Sequence, residues 1–105
     1  MELKNGNVKL LGVRPELLFG LTIIDTLHTN MFGFNMVITS VAESTAKHSK
    51  TSLHYSGCAA DIRIRTMPPH LINKFHEMAI ARLGSEFDLV HEDNHFHLEF
   101  QPKNL

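Results

Sequence analysis

Phe87-Asp88-Leu89-Val90-His91-Glu92-Asp93-Asn94-His95-Phe96-His97-Leu98-Glu99-Phe100 decides how this chain folds. Residues 87–91 and 95–100 are strand-like runs, and Glu92-Asp93-Asn94 between them is a short polar turn, so the stretch reads as a β-hairpin. Successive side chains of a strand point to opposite faces. His95, His97 and Glu99 therefore share one face, and Phe96, Leu98 and Phe100 share the other. The Phe-Leu-Phe face must be core, which turns the His-His-Glu face toward a cleft or solvent.

Upstream of the hairpin, Gly84 is a stop signal for a helix that Pro68-Pro69 begins. Its apolar stripe is Leu71, Ile72, Phe75, Met78, Ala79 and Leu83. Before it, Cys58 to Ile64 reads as a strand alternating around Ala60, Ile62 and Ile64, with Ala59 and Asp61 on the opposite face. Ala42 to Ser56 is polar and aperiodic, and a loop of that length in so short a chain is usually functional or mobile. Phe34 to Ser40 is rich in β-formers and reads as another strand. Arg14-Pro15-Glu16 opens a helix, with Pro15 suited to its first turn and Glu16 to the positive end of its dipole. Leu17, Leu18, Leu21, Ile24 and Leu27 carry this helix across a core to about Asn30, and Phe32-Gly33 breaks it. Residues 1–13 form an extended or irregular lead. The order α, β, β, α, β, β predicts an α+β domain: a small, mainly antiparallel sheet with two helices packed on one face.

A chain of 105 residues is one domain, 1–105, with a core large enough to fold but little surplus. A bound metal would help to hold it. Its formal charge of −1 gives no general attraction to nucleic acid or to an anionic membrane, and no apolar run approaches a membrane span. The start, Met-Glu-Leu-Lys-Asn-Gly-Asn, lacks the pattern of a secretory signal, so synthesis in the cytoplasm is expected. A lone cysteine, Cys58, cannot form an internal disulfide and reads as a small buried apolar residue.

Eight histidines are the unusual feature. His28, His70 and His76 read as ordinary surface residues. The others of interest fall in two segments: His54 and Asp61, within Ser52-Leu53-His54-Tyr55-Ser56-Gly57-Cys58-Ala59-Ala60-Asp61, and His95-Phe96-His97. Imidazole, carboxylate and imidazole are the set a catalytic zinc accepts, with water in the fourth position. Small residues at 57–60 leave space around the Asp61 carboxylate. Two histidines and a carboxylate also serve non-haem iron oxygenases, but the seven-residue step from His54 to Asp61 and the two helices do not suit that class.

Ser52, His54, Gly57, Ala59 and Asp61 resemble the motif Ser-x-His-x-x-Gly-x-Ala-x-Asp of the M15-type zinc peptidases, and His95-Phe96-His97 resembles the superfamily's second signature, His-x-His. That group includes D-Ala-D-Ala carboxypeptidases and dipeptidases, L-alanyl-D-glutamate peptidases of phage endolysins and the related Hedgehog signalling domain. The resemblance runs from about Val37 to Phe100. It implies a Hedgehog/D-Ala-D-Ala peptidase-like fold and a zinc ion held by His54, Asp61 and His97, with His95 beside the metal to stabilise the transition state. Glu92 is the implied general base, with Asp93 in reserve. A second register, with His95 as third ligand and Glu92 three residues before it, stays open. Glu99 is either an outer partner orienting a ligand imidazole or a solvated strand residue.

The implied activity is hydrolysis of a peptide bond in peptidoglycan stems or crosslinks by an endolysin-like, monomeric enzyme. It would reach the wall after release from the cytoplasm and could be phage-encoded. Ser52 and His48 are the candidate substrate-binding residues. In many members an arginine follows the first core strand and holds substrate; Ser40-Val41-Ala42-Glu43 stands there in this chain, and His48, Lys47 or Lys50 would have to substitute. The rival reading is a catalytically inactive module of the same fold that holds a metal and binds a partner peptide.

Overall fold

A computed structural model describes residues 1–10, 12–41 and 58–101 of the chain. The strands are β1 (Glu2–Leu3), β2 (Val37–Val41), β3 (Ala59–Arg63), β4 (Phe87–His91) and β5 (His95–Phe100). The helices are α1 (Pro15–Phe32) and α2 (Ile72–Leu83), the latter entered through a 3-10 turn at Pro69–Leu71. The five strands form one sheet in the order β1-β2-β3-β5-β4. Every neighbouring pair is antiparallel except β1 and β2. The expected α+β architecture is therefore present.

Local chemistry sets the helix ends. Arg14 is extended, Pro15 occupies the first turn of α1, and Gly33 closes it at φ 78°, its N–H donating to the Thr29 carbonyl. Glycine tolerates that left-handed conformation without a Cβ clash. Gly84, at φ 87°, ends α2 and donates to Ile80. Leu17, Leu21, Ile24 and Leu27 of α1 and Phe75 and Ala79 of α2 are buried against Ile62, Phe96 and Leu98 of the sheet. Gly20 lets α1 approach the hairpin: a Cβ there would overlap the Phe87 ring.

The sheet edge and two histidines differ from the sequence reading. The lead contains a two-residue strand, β1, too short to leave any periodicity. It is fixed by backbone bonds from Glu2 N–H to the Met36 carbonyl and from Lys4 N–H to the Ile38 carbonyl. His28 is core, only 1% exposed. Its Nδ1–H donates to the Phe34 carbonyl at 3.0 Å, and its ring meets Phe32, Phe34 and Phe75 edge-on. Burial pushes its pKa down despite that hydrogen bond. His76 is half-buried, donating from Nε2 to the Leu89 carbonyl at 2.7 Å with its ring against Phe96. His70 is exposed, as expected.

One irregularity lies beside the candidate site. Ile38 pairs with Ile62, but Ser40 pairs with Asp61, so β2 carries one extra residue, Thr39, at that step. Such a bulge interrupts strict alternation. Ile38 and Val41, three apart, both meet the core, while Thr39 is half-buried and Ser40 exposed.

Candidate metal centre

Strand register assembles the site. β3 and β5 pair Asp61 with His97, Arg63 with His95 and Ala59 with Glu99. Directly paired residues share a face, and all of these lie opposite the helices, as the alternation of Phe96, Leu98 and Phe100 requires. His95, His97 and Asp61 each offer a ligand atom, and the three atoms lie within 4.8 Å of one another. Among the described residues this is the group that could hold a metal ion.

The hydrogen bonds orient each ring. His97 Nδ1 lies 2.7 Å from Asp61 Oδ1, and its Nε2 lies 2.8 Å from Glu99 Oε1. Gln101 Nε2 donates to the other Glu99 oxygen at 2.7 Å. His95 Nδ1–H donates to Asn94 Oδ1 at 2.6 Å, which leaves its Nε2 facing Asp61 Oδ1 at 3.5 Å. Each imidazole thus has one nitrogen tied to an oxygen acceptor and the other aimed at Asp61. Histidine ligands of metals are held in this way, the outer N–H fixing the tautomer and raising the basicity of the inner nitrogen.

Without a cation, His97 sits between two carboxylates as an imidazolium. The Asp61 hydrogen bond raises its pKa to about 9 against the opposing effect of burial, with Glu99 adding to the rise. A divalent cation would take the place of the Nδ1 proton. The donor set, two imidazole nitrogens and a carboxylate oxygen, suits zinc and leaves a coordination position open. Other divalent ions accept the same set, so the geometry supports a metal without naming it.

The structure brings together Asp61 and His97, two of the three ligands the sequence implies, and places His95 with them. His54, Ser52 and His48 lie outside the described residues. Glu92 is exposed in the β4–β5 turn, where its N–H donates to the His95 carbonyl at 2.9 Å, and its carboxylate is not part of the cluster. Asp93, the reserve base, is exposed in the same turn. Glu99, its side chain only 16% exposed, is hydrogen-bonded to His97, the position that an outer partner of a ligand imidazole would hold.

Asn94 and Gln101 complete the hydrogen-bonded chain, roles that sequence alone does not assign them. The signal was adjacency for Asn94 and strand parity for Gln101, two residues beyond Glu99. No described helix is long and apolar enough to cross a membrane. Comparison with known proteins finds no family model that matches the chain, and no curated protein that matches it.

Proposed function

We propose that the chain is a zinc-dependent peptidase acting on peptide bonds of peptidoglycan stems or crosslinks. The observation that carries the proposal is the convergence of Asp61, His95 and His97 on one point, each imidazole braced from behind by an oxygen acceptor. The motif resemblance supplies the reaction class. Zinc at this point would polarise the scissile carbonyl and acidify a water to a pKa of ~7.

The residues around it would do the rest. Asp61 and His97 would hold the ion, with either His54 or His95 completing the set. If His54 is the third ligand, a protonated His95 would donate its Nε2–H to the oxygen that gains charge as the amide carbon becomes tetrahedral. Glu92, or Asp93 beside it, would take the proton of the attacking water and return it to the departing amine.

The decisive experiment incubates zinc-loaded protein with purified peptidoglycan and identifies new termini by mass spectrometry. Release of stem or crosslink fragments that stops on chelation is expected; no release at any metal loading would refute the peptidase. Glu92→Ala should keep zinc and lose turnover. His54→Ala and His95→Ala separate the two ligand sets, since replacing the true ligand loses zinc and replacing the other loses only rate. A second reading, a metal-holding module without catalysis, draws on the exposed position of Glu92 outside the cluster. Tight zinc binding with no turnover would select it.

A further inference from the structure

The open face holds a second charged group that metal binding does not use. A cleft of about 320 Å³ is bordered by Asp61 and His95 and by three cations, Lys4, Arg63 and Arg65. They arrive from separate places: Lys4 just beyond β1, Arg63 at the end of β3 and Arg65 two residues further on. Among the described residues, none of the three forms an ion pair with a carboxylate, whereas the chain's own ammonium pairs with Asp25 and Arg14 with Glu16. Asp61, the carboxylate on the same cleft, is already engaged by His97 at 2.7 Å. In a chain of formal charge −1 this is a local concentration of positive charge.

Arg63 is half-buried and, among the described residues, has no carboxylate partner. An incoming anion would supply that partner, and the planar fork of arginine matches a carboxylate through two parallel hydrogen bonds. A divalent cation on Asp61, His95 and His97 would cancel the one negative charge that the described residues bring to the cleft. The pull on an anion would then increase.

We propose that this cleft is an anion subsite, with Arg63 the principal donor and Arg65 and Lys4 flanking it, that fixes a carboxylate of the ligand beside the metal cluster. The identification of that ligand as a peptide rests on the function proposed above; the anion site itself does not. It places an anion-orienting charge at the ends of β1 and β3.

The test titrates the zinc-loaded full chain with N-acetylglycine and with N-acetylglycinamide, which differ only in the charged carboxylate. Calorimetry gives affinities, and the arginine Nε–H resonances report the contact. The acid should bind at least about tenfold more tightly than the amide, the strength of a charge-assisted pair. R63Q should weaken the acid about tenfold, R63K less, and R65Q about threefold, while zinc affinity by chelator competition changes by less than about threefold. Equal binding of acid and amide, or an R63Q protein that binds the acid as wild type does, overturns the proposal. The second of those results would mean that the metal itself was holding the carboxylate. If zinc fails to bind, the same titration on metal-free protein still decides the matter: acid-selective binding lost in R63Q would uphold the anion subsite while the metallopeptidase reading falls.

Discussion

Phe96 and His97 are neighbours on β5 and live in different chemical worlds. Phe96 is 0% exposed, ringed by Phe75, His76 and His91 on the helix side of the sheet. His97 is 29% exposed on the other side, clamped between two carboxylates. One face holds the molecule together through apolar burial, and the other carries the polar contacts that gather Asp61, His97 and Glu99. The same division separates two histidines. Burial among phenylalanines lowers the pKa of His28, and carboxylate partners raise that of His97. Side-chain identity does not set the outcome; the face does.

The comparison can be broken most forcefully on the core side. Phe96→Ala should cost about 3–5 kcal/mol of stability, measured by urea unfolding, because it opens a cavity that the surrounding rings cannot fill. A loss below about 1 kcal/mol would mean that the helix-covered face is not the cohesive one.

Glu99→Gln tests the other face. It should reduce zinc affinity about 10–100-fold by slackening the His97 ring, with little change in unfolding midpoint. Unchanged zinc affinity would reduce Glu99 to a bystander.

The smallest effect is the most diagnostic. The His97 pKa is raised from 6.5 to about 9, so in metal-free protein its stabilisation is full below pH 6.5 and is lost as pH rises through about 9. A shift of that size corresponds to ~3 kcal/mol, and partial solvent screening reduces it to about 1–2 kcal/mol. His28 runs the opposite way: its pKa is lowered, so its contribution is intact above pH 6.5 and is lost as pH falls below that value. Unfolding midpoints from pH 5 to 10 should therefore fall at both ends. His97→Gln should remove the alkaline fall alone, and bound zinc should remove it too, since the metal replaces the proton. An alkaline fall that survives both changes would sink the account of His97.

Much of the fold was legible because its elements are periodic. The Phe-Leu-Phe alternation of β5 and the leucine stripe of α1 state which side is covered, and Gly33 and Gly84 mark the helix ends as expected. Asp61 and the two histidines of β5 follow from the same alternation. β1 was not legible, since two residues carry no pattern. The burial of His28 was: it continues the Leu17, Leu21, Ile24 spacing, but a polar side chain near a helix end reads as solvent-facing until its carbonyl partner, Phe34, is in view. Arg63 was legible in principle, two residues beyond Asp61 on one strand face. The approach of Lys4 was not, because it depends on the parallel pairing of β1 with β2. The stretch that contains His48, Ser52 and His54 lies outside the described residues.

The extra residue in β2 has a consequence of its own. An unbroken ladder would present a nearly planar floor, and a small solute on such a floor can be gripped from below only. Thr39 is the extra residue at the step beside Asp61, to whose carbonyl its Oγ1–H donates at 3.4 Å, and it borders the cleft together with Lys4. A sequence that dropped this one threonine could keep every buried leucine and phenylalanine and still lose the wall against which a guest would lean. Indels at position 39, more than substitutions in the core, would then separate binders from mere scaffolds among chains built on this plan.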